Sequence, residues 1–468
     1  MGNAPADWSK LLATTTSLPV DLQPTTASIH HSVNDPRQTF RTIVPIVGVA
    51  MLLRLVFVWL SYKNLPLSDH FEQFGAEMGW TARSLALGRG FSSPFFPQTG
   101  PTALVCPLYP LLLAGIFKAF GLYTNAAAFA ALSLNALFSS VTCAVIFFGM
   151  RDAFGFRTAR SAAWVWALYP YAVYYSAVYL WDCALTSLLF ACCFFLATTR
   201  LPAMRVRWWA VFGLLAGLAA LSNPSVLSLI PVLLGYALWL RFRRGGVVGM
   251  PMLVSLGVLL LTLLPWTVRN LRVMHQPVLM RDGFWGEFYA GNAGDTSHTN
   301  PNWTHPASSA VEMQQYQRLG ETGYMLRKKT LSMERLRTQP AAFAMVSARR
   351  VVRFWTGYWS FSHAYLQDEA LDVPNVPFCI ALTLLMITGI WLLFRTNRRL
   401  AAPYLLTLLI FPIPYYVTHA SMDYRQPIEP ILVAITAYGM ARIVRRSRPT
   451  LEMQDLTAAR QRASRHLV

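Results

Sequence analysis

Three carboxylates stand close together in one polar stretch of a largely apolar chain: Asp69, Glu72 and Glu77, in SDHFEQFGAEMGWTARSLALGRGF. A carboxylate just above a bilayer can serve as general base for a substrate whose reactive end lies at headgroup level. The same acids also read as solvated loop charges. Asp182 is the sharpest signal inside an apolar run, in YLWDCALTSLL. An ionisable side chain in lipid is costly and faces a cavity or a partner, so Asp182 either contacts substrate or reaches the interface. Arg269 follows one apolar run and Arg425 precedes another. Arginine presents a planar fork of donors that suits phosphate, and a departing phosphate needs such a partner as charge builds on it. Each arginine also reads as an interfacial anchor. His419 and Tyr424 share the loop of Arg425 and are in reach of the same substrate.

Other chemistries find little support. The six outward-facing histidines, His70, His275, His298, His305, His363 and His419, have no HExxH-type spacing. The cysteines Cys106, Cys143, Cys183, Cys192, Cys193 and Cys379 suggest neither zinc nor a disulfide framework. No metal and no cofactor are expected. There is no phosphate loop of the GxxxxGK[ST] form, which argues against an inward-facing kinase or ATPase.

The elements that carry these residues follow from composition. Of 468 residues, 54% are hydrophobic and 13% charged, against about 25% charged in soluble domains. This excludes a single soluble domain and predicts an all-α polytopic membrane protein. Net charge is +19. In a membrane protein such an excess points to cytoplasmic loops and anionic lipid, not to nucleic acid. Ten transmembrane helices are predicted, at 42–61, 126–149, 158–176, 180–198, 208–222, 225–241, 248–266, 378–395, 402–418 and 427–443.

Lysine and arginine concentrate in cytoplasmic loops. They cluster at 37–41, 151–160, 200–207, 241–244, 395–399 and in the tail from Arg442, whereas the alternate short loops carry almost none. The alternation works only if the apolar segment 107–120 does not cross but lies along the outer surface. Both termini are then cytoplasmic. The expected organisation is a polar segment 1–41, a membrane part 42–266 with an outer loop 62–125, an extracytoplasmic segment 267–377, a second membrane part 378–443 and a basic tail 444–468. Within the outer parts, helices are expected near 74–87, 308–338 and 340–358. The last sets Arg349, Arg350 and Arg353 beside Phe354, Trp355 and Trp359, the pattern of a helix lying in headgroups.

The chain also resembles a known family. The run from Glu77 through Ala82, Leu85, Gly88, Gly90 and Phe91, then Pro101-Thr102-Ala103 and Pro107-Leu108-Tyr109-Pro110, is similar to membrane glycosyltransferases of family 39. These belong to the C-type superfamily with the protein O-mannosyltransferases and the lipid A aminoarabinose transferase. Leu221-Ser222-Asn223-Pro224, Pro265-Trp266-Thr267-Val268-Arg269-Asn270, Gly291-Asn292 and Tyr424-Arg425 followed by two prolines recur in the same order, over roughly residues 42–445. The resemblance implies a polyprenyl-phosphate-sugar donor and a carboxylate base in the first outer loop. Many members carry an Asp or an Asp-Glu pair early in that loop. This sequence has no Asp-Glu pair there; Glu77 falls nearest the expected position, with Asp69 and Glu72 as alternatives. Asn292 joins Asp182, Arg269, His419, Tyr424 and Arg425 as a substrate-binding candidate.

The expectation is therefore an integral-membrane glycosyltransferase of a bacterial inner membrane. It would move a sugar to an acceptor hydroxyl on a lipid, glycan or protein, with inversion. Two rivals remain: a transporter or flippase of lipid-linked substrates, and a glycan polymerase or ligase using a polyprenyl-diphosphate donor through Arg349, Arg350 and Arg353.

Overall fold

A computed structural model describes residues 36–65, 74–95, 98–294, 304–368 and 371–444. Asp69 and Glu72 lie outside these residues. The chain divides into two units, residues up to Thr42 and Ile43–Val468. Of the first, 36–42 are described and form the opening turns of a helix.

The described residues are nearly all helical. In chain order the helices are α1 (Pro36–Ser61), α2 (Ala76–Ala86), α3 (Leu108–Phe120), α4 (Asn125–Phe154), α5 (Phe156–Leu168), α6 (Pro170–Ala177), α7 (Cys183–Phe195), α8 (Val206–Ser222), α9 (Ile230–Arg243) and α10 (Gly249–Met274). There follow α11 (Phe284–Asn292), α12 (Ala310–Thr338), α13 (Pro340–Thr356), α14 (His363–Asp368), α15 (Asp372–Thr396), α16 (Arg398–Ile410) and α17 (Ile413–Val417). The last, α18, runs Asp423–Val444.

Eight described helical stretches are long and apolar enough to cross a membrane. Two of the ten expected spans differ in form. The run 208–222 is the 17-residue α8, about 25 Å long at 1.5 Å per residue. The run 158–176 is broken into α5 and α6. Pro170 has no N–H to donate and restricts the residue before it, so Tyr169 is extended at φ −67°, ψ 118°. The segment 107–120 forms the 13-residue α3, about 20 Å long and short of a ~30 Å hydrocarbon core.

Buried polar groups fix the broken span. Arg54 of α1 is fully buried and donates to Ser139 Oγ of α4 at 3.0 Å and to the Ala167 carbonyl at the end of α5 at 2.9 Å. A cation at a helix C-terminus meets both orphan carbonyls and the negative end of the helix dipole. Just past the break, Tyr169 Oη donates to Glu429 Oε2 of α18 at 2.8 Å. Elsewhere small residues allow close packing: a Cβ on Gly217 of α8 would stand 2.7 Å from Thr262 Cβ of α10.

Between α10 and α15, α12 is capped by Ser309, whose Oγ accepts from Glu312 N, and it kinks at Gly320 (φ 68°). Helix α13 forms as expected, but two of its three arginines are turned inward. Arg350 and Arg353 are buried at 1% and 4% exposure. Arg350 donates to Asn292 Oδ1 and to the carbonyls of Gly291, Tyr416 and Val417, and Arg353 pairs with Asp372. Guanidiniums so engaged act as interior ties between α11, α13, α15 and α17. Arg349 stacks on Trp359, 4.2 Å from the ring centre.

Candidate active site

Helix α2 opens on Gly75, whose φ of +79° favours glycine. A Cβ there would also stand 2.8 Å from the Leu180 carbonyl oxygen. This tight entry sets Glu77 in the first turn of α2, beside the chain that leads into α7. Glu77 is 15% exposed, and its Oε1 lies 3.0 Å from His305 Nε2.

A second group comes from the chain after α10. His275 ends that helix in the left-handed region at φ 54°. The strand of chain that follows is pinned back along α10. Trp266 Nε1 donates to Met280 O at 2.6 Å, and Asn270 Nδ2 to Val278 O at 3.0 Å. Asp282 N donates to Ala103 O at 2.9 Å. Arg281 is thereby held inward, and its Nη2 lies 3.0 Å from Glu287 Oε1, early in α11. The other Glu287 oxygen lies 3.5 Å from His419 Nδ1. His419 Nε2 hydrogen-bonds Tyr424 Oη at 2.5 Å, and Tyr424 stacks on Tyr415 with ring centres 4.9 Å apart.

These residues line two cavities of about 160 and 360 Å³ that share Met78, Trp181, Arg281, Glu287 and Tyr424. Glu77 and His305 border the smaller one. Asp182 and His419 border the larger one. Asp182 is buried at the N-terminus of α7 and accepts from Thr186 Oγ1 at 2.9 Å; Thr186 in turn bonds Ser222.

The charges are mutually adjusted. Burial pushes the Glu287 carboxyl up, but the charges around it, with Arg281 the permanent one, outweigh it and hold the group below its usual range. Burial pulls the Arg281 guanidinium down, and Glu287 reverses this, so its net direction is up. Burial dominates at His419 and lowers its pKa despite Glu287. Glu287 is thus ionised at neutral pH. Asp282 is pushed up to about 6 by burial and by Glu321.

The structure brings together Glu77, Asp182, His419 and Tyr424. It places Arg269, Arg425 and Asn292 elsewhere. Arg269 lines neither cavity: its guanidinium donates to the carbonyls of Phe91 and Thr102 and stacks between Phe91 and Trp266. It borders a separate apolar groove of about 550 Å³ across the 101–107 segment, with Arg89, Leu111, Leu221 and Trp266. Arg425 is fully buried, paired with Glu429, and donates to Phe354 O at 3.1 Å. Asn292 is a tie, donating to Phe288 O and Val417 O at 2.8 and 2.9 Å and accepting from Arg350.

Sequence reasoning missed Arg281 and Glu287, and set His305 aside with the metal question. The signal was an arginine six residues before a glutamate in RDGFWGE, within the segment read as outward. Among the described residues, no group of three or more His, Cys, Asp or Glu is placed to hold a metal ion.

Residues 104–267 match the family described as dolichyl-phosphate-mannose-protein mannosyltransferase. No curated protein matches the chain. Among solved structures, the oligosaccharyltransferase AglB from Archaeoglobus fulgidus, in complex with an inhibitory peptide and a dolichol-phosphate, aligns over 90% of this chain and 52% of its own. Its TM-score is 0.51 at 15% identity. A second structure of that organism's oligosaccharyltransferase, with Zn and sulfate, aligns over 89% and 51% with a TM-score of 0.50 at 14% identity. ArnT from Cupriavidus metallidurans bound to undecaprenyl phosphate aligns over 86% and 78%, with a TM-score of 0.35 at 14% identity. The chain spans about half the length of the archaeal enzyme. It shares the fold of the archaeal oligosaccharyltransferase, and residues 104–267 carry its similarity to the mannosyltransferase family.

Proposed function

We propose that the protein is an integral-membrane glycosyltransferase that moves a sugar from a polyprenyl-phosphate donor to an acceptor hydroxyl on the outer face of the membrane. The carrying observation is a single cavity bordered by both a carboxylate, Glu77, and a cation, Arg281.

The charge count favours a monophosphate donor. Among the described residues lining the two cavities, Arg281 is the sole Lys or Arg, against the carboxylates of Glu77, Asp182 and Glu287. A sugar phosphodiester brings one negative charge, whereas a diphosphate brings two and asks for more cations. The arginines that kept a diphosphate-dependent polymerase open are partly spent inside the protein, since Arg350 and Arg353 are buried ties.

The chemistry is one displacement. The acceptor oxygen attacks the anomeric carbon while its proton passes to Glu77. The bond from that carbon to the phosphate oxygen breaks on the opposite face, and the electron pair leaves with the polyprenyl phosphate. The sugar is inverted. Arg281 meets the charge that grows on the phosphate, where a preorganised donor is most effective. Asp182, His419 and Tyr424 border the space left for the sugar.

The test is transfer by purified protein in lipid nanodiscs from a panel of radiolabelled polyprenyl-phosphate sugars, with a mixed lipid and glycan acceptor extract. Wild type should release free polyprenyl phosphate. Glu77→Gln should lose about 10²–10⁴-fold in kcat, the usual contribution of a general base. Arg281→Met should raise the donor KM and lower kcat together. Full activity in Glu77→Gln would remove Glu77 as the base and leave Asp69 or Glu72.

A further inference from the structure

The histidine beside Glu77 comes from far away in the chain. His305 belongs to a short turn before α12, 228 positions from Glu77. The turn is closed on itself, with Ser308 N and Ser309 N donating to His305 O at 3.1 and 3.0 Å. Thr304, beside it, is buried.

The imidazole is held in a defined state as well as a defined place. Ala307 N donates to His305 Nδ1 at 3.3 Å. A nitrogen that accepts a hydrogen bond carries no proton, so the ring proton of neutral His305 is on Nε2. That is the nitrogen 3.0 Å from Glu77 Oε1. Phe95 meets the imidazole edge to face at 5.4 Å between ring centres and itself packs on Tyr316 of α12 at 5.1 Å. The ring therefore has little freedom to turn.

We propose that His305 is a positioning residue for Glu77: its Nε2–H engages Oε1, fixes the plane of the carboxylate, and leaves Oε2 to take the acceptor proton. This rests on the reading of Glu77 as the base. It also gives the segment after α10 a part in the reaction beyond covering the cavity. His305 takes no proton itself, because Nδ1 is occupied by Ala307 N–H and Nε2 already bears one. The role is that of a neutral donor which orients a catalytic group held by another element.

The reading makes a demand that a packing role does not. A glutamine side chain can set an amide N–H near the place of Nε2, whereas asparagine is shorter and reaches only the place of Nδ1. Wild type, Glu77→Gln, His305→Gln, His305→Asn and His305→Ala are assayed in nanodiscs for kcat and donor KM, with thermal unfolding of each. His305→Gln should stay within about 5-fold of wild type in kcat, while His305→Asn and His305→Ala fall by on the order of 10²-fold, the cost of misplacing a reacting group by about 1 Å. Donor KM should stay within about 2-fold in all three, and added imidazole should restore part of the activity of His305→Ala. Equal activity of the Gln and Asn variants, or a loss confined to KM, overturns the proposal. If wild type is active and Glu77→Gln is too, the reading of the base has failed. If Glu77→Gln is inactive while Gln and Asn at 305 behave alike, only the role of His305 has failed.

Discussion

Arg425 offers a decisive contrast, because sequence and structure assign it opposite roles. As a phosphate ligand, its loss would weaken donor use in a stable protein. As a buried partner of Glu429, its loss would weaken the protein itself. Both side chains are fully buried. Breaking such a pair by removing one member costs about 3–5 kcal/mol, mostly because the remaining charge is left uncompensated. Arg425→Met therefore leaves Glu429 facing only the Tyr169 hydroxyl, and it orphans the Phe354 carbonyl. An unfolding entropy of about 2.1 cal/mol/K per residue over 468 residues gives roughly 1 kcal/mol/K. The midpoint should then fall by about 3–5 °C. The double variant Arg425→Met with Glu429→Gln removes the lone charge and should recover a good part of the fall. The assay is thermal unfolding in one detergent, followed by intrinsic fluorescence, with donor KM measured well below the midpoint. A several-fold rise in KM with an unchanged midpoint would refute the structural assignment and restore Arg425 as a ligand of the donor.

Three further outcomes are expected. Gly75→Ala should cost about 1–2 kcal/mol, since the residue must hold a left-handed backbone and its Cβ would press on Leu180 O; circular-dichroism melts and kcat, which should fall with the shift of Glu77, check this. His419 has a lowered pKa in the folded protein, so its stabilising contribution is present above its unfolded value of about 6.5 and is lost as pH falls from there toward the folded value. Between pH 7.5 and 5.5 the melting temperature of wild type should drop more than that of His419→Gln; equal slopes would show that His419 is not the titrating group. A reporter fused within 308–338 should be accessible from outside the cell, and a cytoplasmic signal would reverse the proposed topology.

Hydropathy made the helical membrane architecture legible, because lipid demands long apolar helices whatever their partners. The break at Tyr169 was signalled by Pro170, yet the apolar run continues through it and masks the interruption. At the site, Glu77, Asp182, His419 and Tyr424 stood out because a polar group near the apolar runs is conspicuous. Arg281 and Glu287 did not, since a charged pair in a polar loop looks like a solvated one until the chain is pinned against α10 and Ala103. The reverse held for Arg425. Its partner is four residues on, a spacing that places both on one helical face, but nothing in the sequence says that this face is turned inward. The arginines of α13 misled for a related reason. An amphipathic stripe of Arg and Trp fits headgroups and a protein interior equally well when the interior offers carbonyls.

The arginine of α1 has a consequence for how the chain is made. Arg54 finds its carbonyl acceptors at Trp166 and Ala167, more than a hundred residues downstream. When α1 leaves the ribosome those acceptors do not yet exist. For a time the helix must enter the bilayer with a guanidinium that has the Ala50 carbonyl of its own helix, at 3.1 Å, but not its downstream partners, at a cost of about 2.5–3.5 kcal/mol near the middle of a span. The surplus apolarity of α1, the greatest among the eight candidate spans, offsets that cost. The first helix is thus equipped to wait in lipid for the fifth.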